Sequence, residues 1–198
     1  MKNLFYFTFC TFITSILSFN TIFAQTQKGR FMAGPSIGKF SFGKSYSDIA
    51  FDIKAGYFIV DNLAIGITPS YSYSWATDNV RFKEKINVLG IGPFVRYYFG
   101  EGKLKPLLNA SFLYHSRKAN VTYSPIMTPD GPIEGYAYEF KGGYKLLQAG
   151  GGIAYFLSNT ISLEGIVNYG RYIDYNENTD VKAGEVSIGL GVQIFIGQ

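Results

Sequence analysis

His115 is the chain's one histidine, and Ser116 follows it directly, so these two residues are the first candidates for chemistry. A serine nucleophile needs an imidazole within hydrogen-bond reach and a carboxylate to orient that imidazole. Neighbouring side chains on an extended segment point to opposite faces, so a Ser–His contact within one strand needs a spacing of two. His115-Ser116 lacks that spacing and has no carboxylate close by, which favours an interfacial polar residue over an esterase. One histidine cannot make a His-rich metal site; a carboxylate calcium site among the polar connections stays open. Cys10 is the only cysteine and lies in the apolar N-terminal stretch, so the rest of the chain has no disulfide and no thiol nucleophile.

The charges hold a second pattern. Following the alternation of faces along the chain, Asp52, Glu164 and Glu185 share enclosed rows with Lys54, Arg96 and Lys105. Charges on an enclosed face carry a heavy desolvation cost and are expected to pair. Such a network either fixes the interior as a plug of ion pairs or lines a narrow pore. A third candidate is the connection at 118–140, with Pro125, Pro129, Pro132 and an Asp130-Gly131 turn signal. Tyr123, Ile126, Met127, Ile133 and Tyr136 make it apolar for a loop, as a contact surface for an extracellular partner would be. Mixed charges at Arg81, Lys83, Glu84, Asp174, Glu177, Asp180 and Lys182 are candidates for lipopolysaccharide phosphates.

The elements that must position these residues follow one repeated pattern. An apolar–aromatic strand end, a tight polar turn and an alternating strand recur in GYFIVDNLAIGI (56–67), RYYFGEGKLKPLL (96–108) and GIAYFLSNTISLEGI (152–166). Turns this short permit antiparallel hairpins. Eight strands are predicted, at 29–40, 47–59, 63–75, 85–99, 104–117, 141–157, 161–172 and 183–196. Longer connections fall at 41–46, 76–84, 118–140 and 173–182. In the fourth strand Ile86 and Val88 fall in phase with Gly90, Gly92 and Arg96, which predicts a bulge or a loop-borne start there.

Residues 1–24 read as a cleaved signal peptide: Lys2, then a largely apolar stretch, then Ile22-Phe23-Ala24 before Gln25. Residues 25–198 are then a single domain. Charged residues are 16% of the chain, below the ~25% usual for soluble domains. Aromatics reach 18%, and the net charge of +4 is dispersed, without the basic run that nucleic acid binding requires.

Alternation alone does not say which face points inward. The polar face is dominated by Gly, Ser, Ala and Thr, which suits a cramped lumen better than a water-washed surface. Tyr57, Tyr97, Phe99 and Tyr155 lie beside the tight turns, while Tyr71, Tyr73, Trp75, Tyr114 and Tyr169 lie toward the longer connections. Two such bands are the aromatic girdles of a transmembrane barrel.

On this strand–turn rhythm the mature chain resembles the small eight-stranded outer-membrane β-barrels, the group of OmpX, OmpW, the OmpA membrane domain and related porin-fold domains. The resemblance implies an all-β, eight-stranded, antiparallel, up-and-down transmembrane β-barrel in the bacterial outer membrane, monomeric and without cofactor. It implies contact with outer-membrane lipid and lipopolysaccharide, and with the barrel-assembly machinery during biogenesis. Members of the group end in an outward aromatic residue, whereas here isoleucines hold the outward row and Phe195 is one position out of phase. The implied role is non-enzymatic: structural, surface-interaction or envelope-stress, with polar side chains filling the lumen. Two rival readings are a narrow channel or transporter for small apolar molecules, and a lipid-modifying enzyme, since outer-membrane lipid A deacylases of similar size use a Ser–His pair.

The protein should fractionate with outer membranes and migrate faster on gels unheated than boiled. Recovery as a soluble periplasmic species without detergent would contradict the facing of every strand.

Overall fold

The computed structural model describes residues 25–42, 46–77, 82–128, 131–174 and 184–197; the expected signal peptide at 1–24 lies outside them, as do Arg81, Glu177, Asp180 and Lys182. In chain order the strands are β1 (Phe31–Phe42), β2 (Tyr46–Val60), β3 (Leu63–Ile67), β4 (Ser70–Thr77), β5 (Phe82–Ile91), β6 (Pro93–Tyr98), β7 (Leu104–Tyr123), β8 (Ile126–Thr128), β9 (Gly131–Ile133), β10 (Tyr136–Phe156), β11 (Ile161–Asp174) and β12 (Gly184–Ile196). Ten of them form one antiparallel sheet in which β1 pairs with both β2 and β12, so the sheet closes on itself. Closure leaves no continuous edge, which is what a sheet spanning lipid requires.

Ten strands replace the expected eight because two long strands are interrupted. β3 and β4 both pair with β2, and the break falls at Thr68-Pro69, where proline has no N–H to donate to the ladder. β5 and β6 both pair with β7 around Gly92. Register runs through both breaks unchanged, so the lumen face stays in phase. No bulge falls at Ile86 and Val88; the strand instead starts at Phe82, on the loop-end extension of β7, and its interruption is at Gly92. Val88 points into the lumen and is buried on the inward row, opposite Arg117 and between the rows of His115 and Ala119 on β7. Bulges occur elsewhere, between Ile37 and Lys39 on β1 and between Phe58 and Val60 on β2.

The short turns lie at one end. Asn62 takes φ +66° and Gly100 and Gly102 take +74° and +96°, left-handed geometries that asparagine and glycine accept with little strain. The N-terminal segment crosses this end. Asn62 N–H donates to the Thr26 carbonyl at 2.7 Å, and the Arg30 guanidinium donates to the carbonyls of Asn159 and Phe195, both at 3.2 Å. Gln25, Thr26 and Arg30 are buried there.

The connection expected at 118–140 is strand for most of its length. β7 runs on to Tyr123 and β10 begins at Tyr136, in continuous register from Tyr136↔Tyr123 to Tyr155↔Leu104. β5 adds a third strand from Phe82↔Tyr123, and β8–β9 form a small hairpin at the tip. These strands form a blade at the loop end, flanked by β4, which pairs with β5 as far as Thr77↔Lys83.

Outside, Ile65, Ile67, Val95, Leu108, Leu163 and Val167 form an apolar belt; Tyr57, Tyr97, Phe99 and Tyr155 border it near the turns, and Tyr114 and Tyr169 near the loops. Ile67→Arg places a charge in this belt and should destabilise the inserted barrel by about 2–4 kcal/mol if it sits near the midplane. Ser72→Arg, on the lumen face, should cost far less. Urea unfolding in lipid vesicles measures both, and equal effects would contradict the assigned facing.

Candidate functional site

The interior has two storeys. Against the turn end, Met32, Phe58, Ala64, Phe94, Tyr98, Leu107, Ala154, Phe156 and Phe195 form a buried apolar cluster. The rings of Phe58, Tyr98, Phe156 and Phe195 meet at centroid distances of 5.0–6.3 Å. Phe195, out of phase with the outward isoleucines, is thus part of the filling. Room for these rings comes from the opposing glycines: a Cβ on Gly66 would sit on the Ala55 carbonyl oxygen and against the Phe94 ring.

A charged layer rests on the aromatic one. Arg96 of β6 and Glu164 of β11 form an ion pair at 2.5 Å, with side chains 0% and 2% exposed. Asn109 Oδ1 accepts from Arg96 Nε at 3.1 Å, and the Tyr98 hydroxyl donates to Glu164 at 2.8 Å. These partners offset the desolvation that an isolated buried pair would suffer. Beside them Lys54 pairs with Asp52 at 2.5 Å, and Ser36 donates to the same carboxylate. A cavity of about 60 Å³ lies between the two pairs, lined by Ser36, Asp52, Lys54, Arg96, Glu164 and Asn168 among others. It is polar and large enough for a water or two.

Of the six charges expected to share one network, these four come together; the other two do not. Lys105 lies below the aromatic layer, donating to Thr26 Oγ1 at 2.8 Å with its ammonium over the Phe156 ring. It secures the N-terminal segment. Glu185 lies above the charged layer, on the wall of the upper cavity with Tyr172.

The upper storey is open, correcting the expectation of a lumen filled throughout. A cavity of about 1180 Å³ opens at the loop end, walled by Asp48, Ser70, Ser74, Val88, Leu113, His115, Arg117, Tyr144, Leu146, Gln148, Tyr172 and Glu185. Here Ser70 Oγ comes within 3.4 Å of His115 Nε2, from a strand 45 residues away. Gly90 lies between them in the sheet, and a Cβ there would collide with both side chains. Reading adjacent residues missed this pair; the signal available was a glycine on the lumen row between two polar residues. His115 Nδ1 has no hydrogen-bond partner among the described residues, so no carboxylate orients the imidazole.

One side of this cup is the β1–β12 seam. Pairing there ends at Ile37↔Leu190, although β1 continues to Phe42 and β12 reaches back to Gly184. The bulge at Gly38 turns β1 away, and Gly38, Val186, Ser187 and Ile188 line the cavity at that height.

The residues expected to contact a partner lie on the blade. Tyr123 stacks on Tyr136 at 4.6 Å and on the other side meets Phe82 at 5.5 Å. Met127, Ile133 and Tyr136 are exposed, and Ile126 sits in β8. Glu139 pairs with Lys118 at 2.7 Å and Lys141 at 3.0 Å, and these hydrogen bonds hold its carboxyl below the usual carboxylate range.

Among solved structures, a major outer membrane protein from Thermus thermophilus is similar at 13% identity, over 84% of this chain and 99% of that one, with a TM-score of 0.52. The N-terminal β-barrel domain of Pseudomonas aeruginosa OprF matches at 16% identity, over 85% of this chain and 98% of that one, with a TM-score of 0.44. Neisserial surface protein A matches at 16%, over 83% and 94%, with a TM-score of 0.45. No curated protein matches the sequence. The family described as the outer membrane protein beta-barrel domain matches residues 12–193, nearly the whole chain. With that match and the closed antiparallel sheet, this chain belongs to the outer membrane protein beta-barrel domain family and is a protein of the bacterial outer membrane.

Proposed function

We propose that this protein is a non-enzymatic, non-conducting barrel that anchors a surface-interaction element in the outer membrane. The observation that carries this reading is the threefold closure of the turn-side lumen: the Arg96–Glu164 pair lies on a packed aromatic layer, and the N-terminal segment lies beneath both. An ion crossing such a barrel would have to displace all three. The blade then supplies the interaction surface, with Tyr123, Ile126, Met127, Ile133 and Tyr136 as its contact residues. Exposed aromatics on a rigid strand extension suit protein contact better than a loop would, because less ordering is needed on binding. Against catalysis stands the imidazole of His115, which has a serine on one side and no orienting acid on the other.

A second reading has its own support. Where β1 and β12 part, the cup is walled by an unpaired seam beside the exposed apolar residues Val186, Ile188 and Leu190. This favours sideways exchange of small apolar molecules between the cup and the outer leaflet. Extending the register places Gly38 opposite Gly189. A Gly38→Cys/Gly189→Cys disulfide should abolish uptake of an apolar dye into the cup if the seam is the route, and leave it unchanged if it is not.

Removing either Arg96 or Glu164 by substitution with alanine should cost about 3–5 kcal/mol, because the remaining charge is buried without its partner. Removing both should recover part of that loss, and the double-mutant cycle reports the coupling. In planar bilayers neither the wild type nor the double variant should show discrete conductance steps, since the aromatic layer persists. Additive stability effects with a clear rise in conductance would establish a channel instead.

A further inference from the structure

Charge on the outward rows of β7, β10 and β11 is confined to the loop end, and nearly all of it is positive. Below Tyr114, Lys145 and Arg171 the outward residues of these strands are uncharged. From that height upward, β5, β7, β10 and β11 turn Lys83, Lys85, Lys118, Lys141, Lys145 and Arg171 outward, against one acid, Glu139. Of the charges read in the sequence as phosphate contacts, Lys83 joins this patch. Glu84 faces the other way, 3.9 Å from Arg117.

The register sets the patch at a definite height. Trp75, Lys85, Asn120 and Glu139 lie opposite one another across β4, β5, β7 and β10, and Tyr73, Asn87, Lys118 and Lys141 form the next row down. The lysines therefore stand level with the loop-side aromatic band, the height of lipid headgroups. Glu139 holds both Lys118 and Lys141, at 2.7 and 3.0 Å, so two ammoniums share one carboxylate. Lys83 and Lys85 are exposed and form no ion pair among the described residues. Neighbouring strands lie about 4.8 Å apart, so lysine side chains on three successive strands reach a common headgroup. Asn120 and Thr122, between them on β7, add an amide and a hydroxyl.

Directly beneath, the chemistry changes. The next row, Leu89, Ser116 and Gly143, opens onto the apolar belt, where Ile91, Phe112 and Leu147 are exposed. A wall that is cationic at headgroup height and apolar below it complements a lipid with an anionic head. Phosphate suits it best, because its oxygens accept from several ammoniums at once.

We propose that this flank of the barrel binds a phosphorylated lipid of the outer leaflet, with its phosphates on Lys83, Lys85, Lys118 and Lys141 and its acyl chains on Leu89, Ile91 and Leu147. The site lies on the outer wall and is independent of the plugged lumen, so neither reading falls with the other.

The chain's single tryptophan stands opposite Lys85 and reports on the patch. In the full-length barrel refolded in dodecyl maltoside micelles, bisphosphorylated lipid A should change the Trp75 emission saturably. Lipid A stripped of its phosphates, and inorganic phosphate alone, should not. Lys83→Gln/Lys85→Gln should weaken the lipid A response by about fivefold for each lysine removed, while Lys28→Gln, at the turn end, should leave it unchanged. No saturable change with lipid A, an equal change with the phosphate-free lipid, or an unchanged affinity in the double variant would each overturn the proposal. Equal weakening by Lys28→Gln would overturn it in favour of net charge alone, and a matching response to inorganic phosphate in favour of the free anion. Should the double variant lose the heat-modifiable mobility of the folded barrel, the wild-type comparison of the three probes decides alone.

Discussion

The whole molecule depends on pairing its backbone polar groups in a solvent that cannot hydrogen-bond them. Each unpaired N–H or C=O in hydrocarbon costs several kcal/mol, so the sheet must meet itself, which it does where β1 pairs with β12. Closure with so few staves makes a narrow cylinder, and the narrowness dictates what can lie inside. Lumen rows are therefore rich in glycine, serine and alanine, and the few large side chains fit because small ones oppose them. Phe94 against Gly66, and the Ser70–His115 contact across Gly90, are two results of one steric rule. Chemistry inside such a barrel is set by which rows are left empty.

The same narrowness explains the unequal storeys. Near the turns, four aromatic rings fill the cross-section, and Arg96 and Glu164 tolerate burial because Asn109 and Tyr98 complete their hydrogen bonding. Above them the inward residues shrink to Ala50, Ser70, Ser72 and Ser74 on β2 and β4, while larger groups crowd the facing strands, and a cup remains. The seam belongs to this level. There the closing rule is relaxed over the last residues of β1 and the first of β12, and the exposed stretch is placed where lipid, lumen and loop meet.

Much of this was legible in the sequence because lipid-facing strands obey a strict period of two. Alternation sets Leu63, Ile65 and Ile67 on one row and Arg96 and Glu164 on the opposite kind, and the small residues of the polar rows with the two aromatic bands say which face is inward. Interruptions at Thr68-Pro69 and Gly92 were not, since alternation continues across them and only hydrogen bonding is lost. The blade was obscured by its prolines and polar residues; Tyr136, Tyr138 and Phe140 do alternate, but what makes them strand is pairing with the extension of β7 to Tyr123, which the polar residues 118–122 conceal. Lys105 and Glu185 share rows with the other charges yet sit at different depths, and depth along a strand depends on register, which no single strand reveals. For the same reason Ser70 and His115 could be matched only once β5 lay between them.

The central claim is that the barrel is closed at the turn side and open at the loop side, and single-cysteine accessibility tests it most directly. In a Cys10→Ser background, Ser72→Cys in the cup and Ala154→Cys in the plug would each be exposed to a membrane-impermeant maleimide, with the folded barrel in lipid vesicles. The account predicts rapid labelling of Ser72→Cys, and labelling of Ala154→Cys only after unfolding. Labelling of Ala154→Cys in the folded barrel as fast as Ser72→Cys would contradict it.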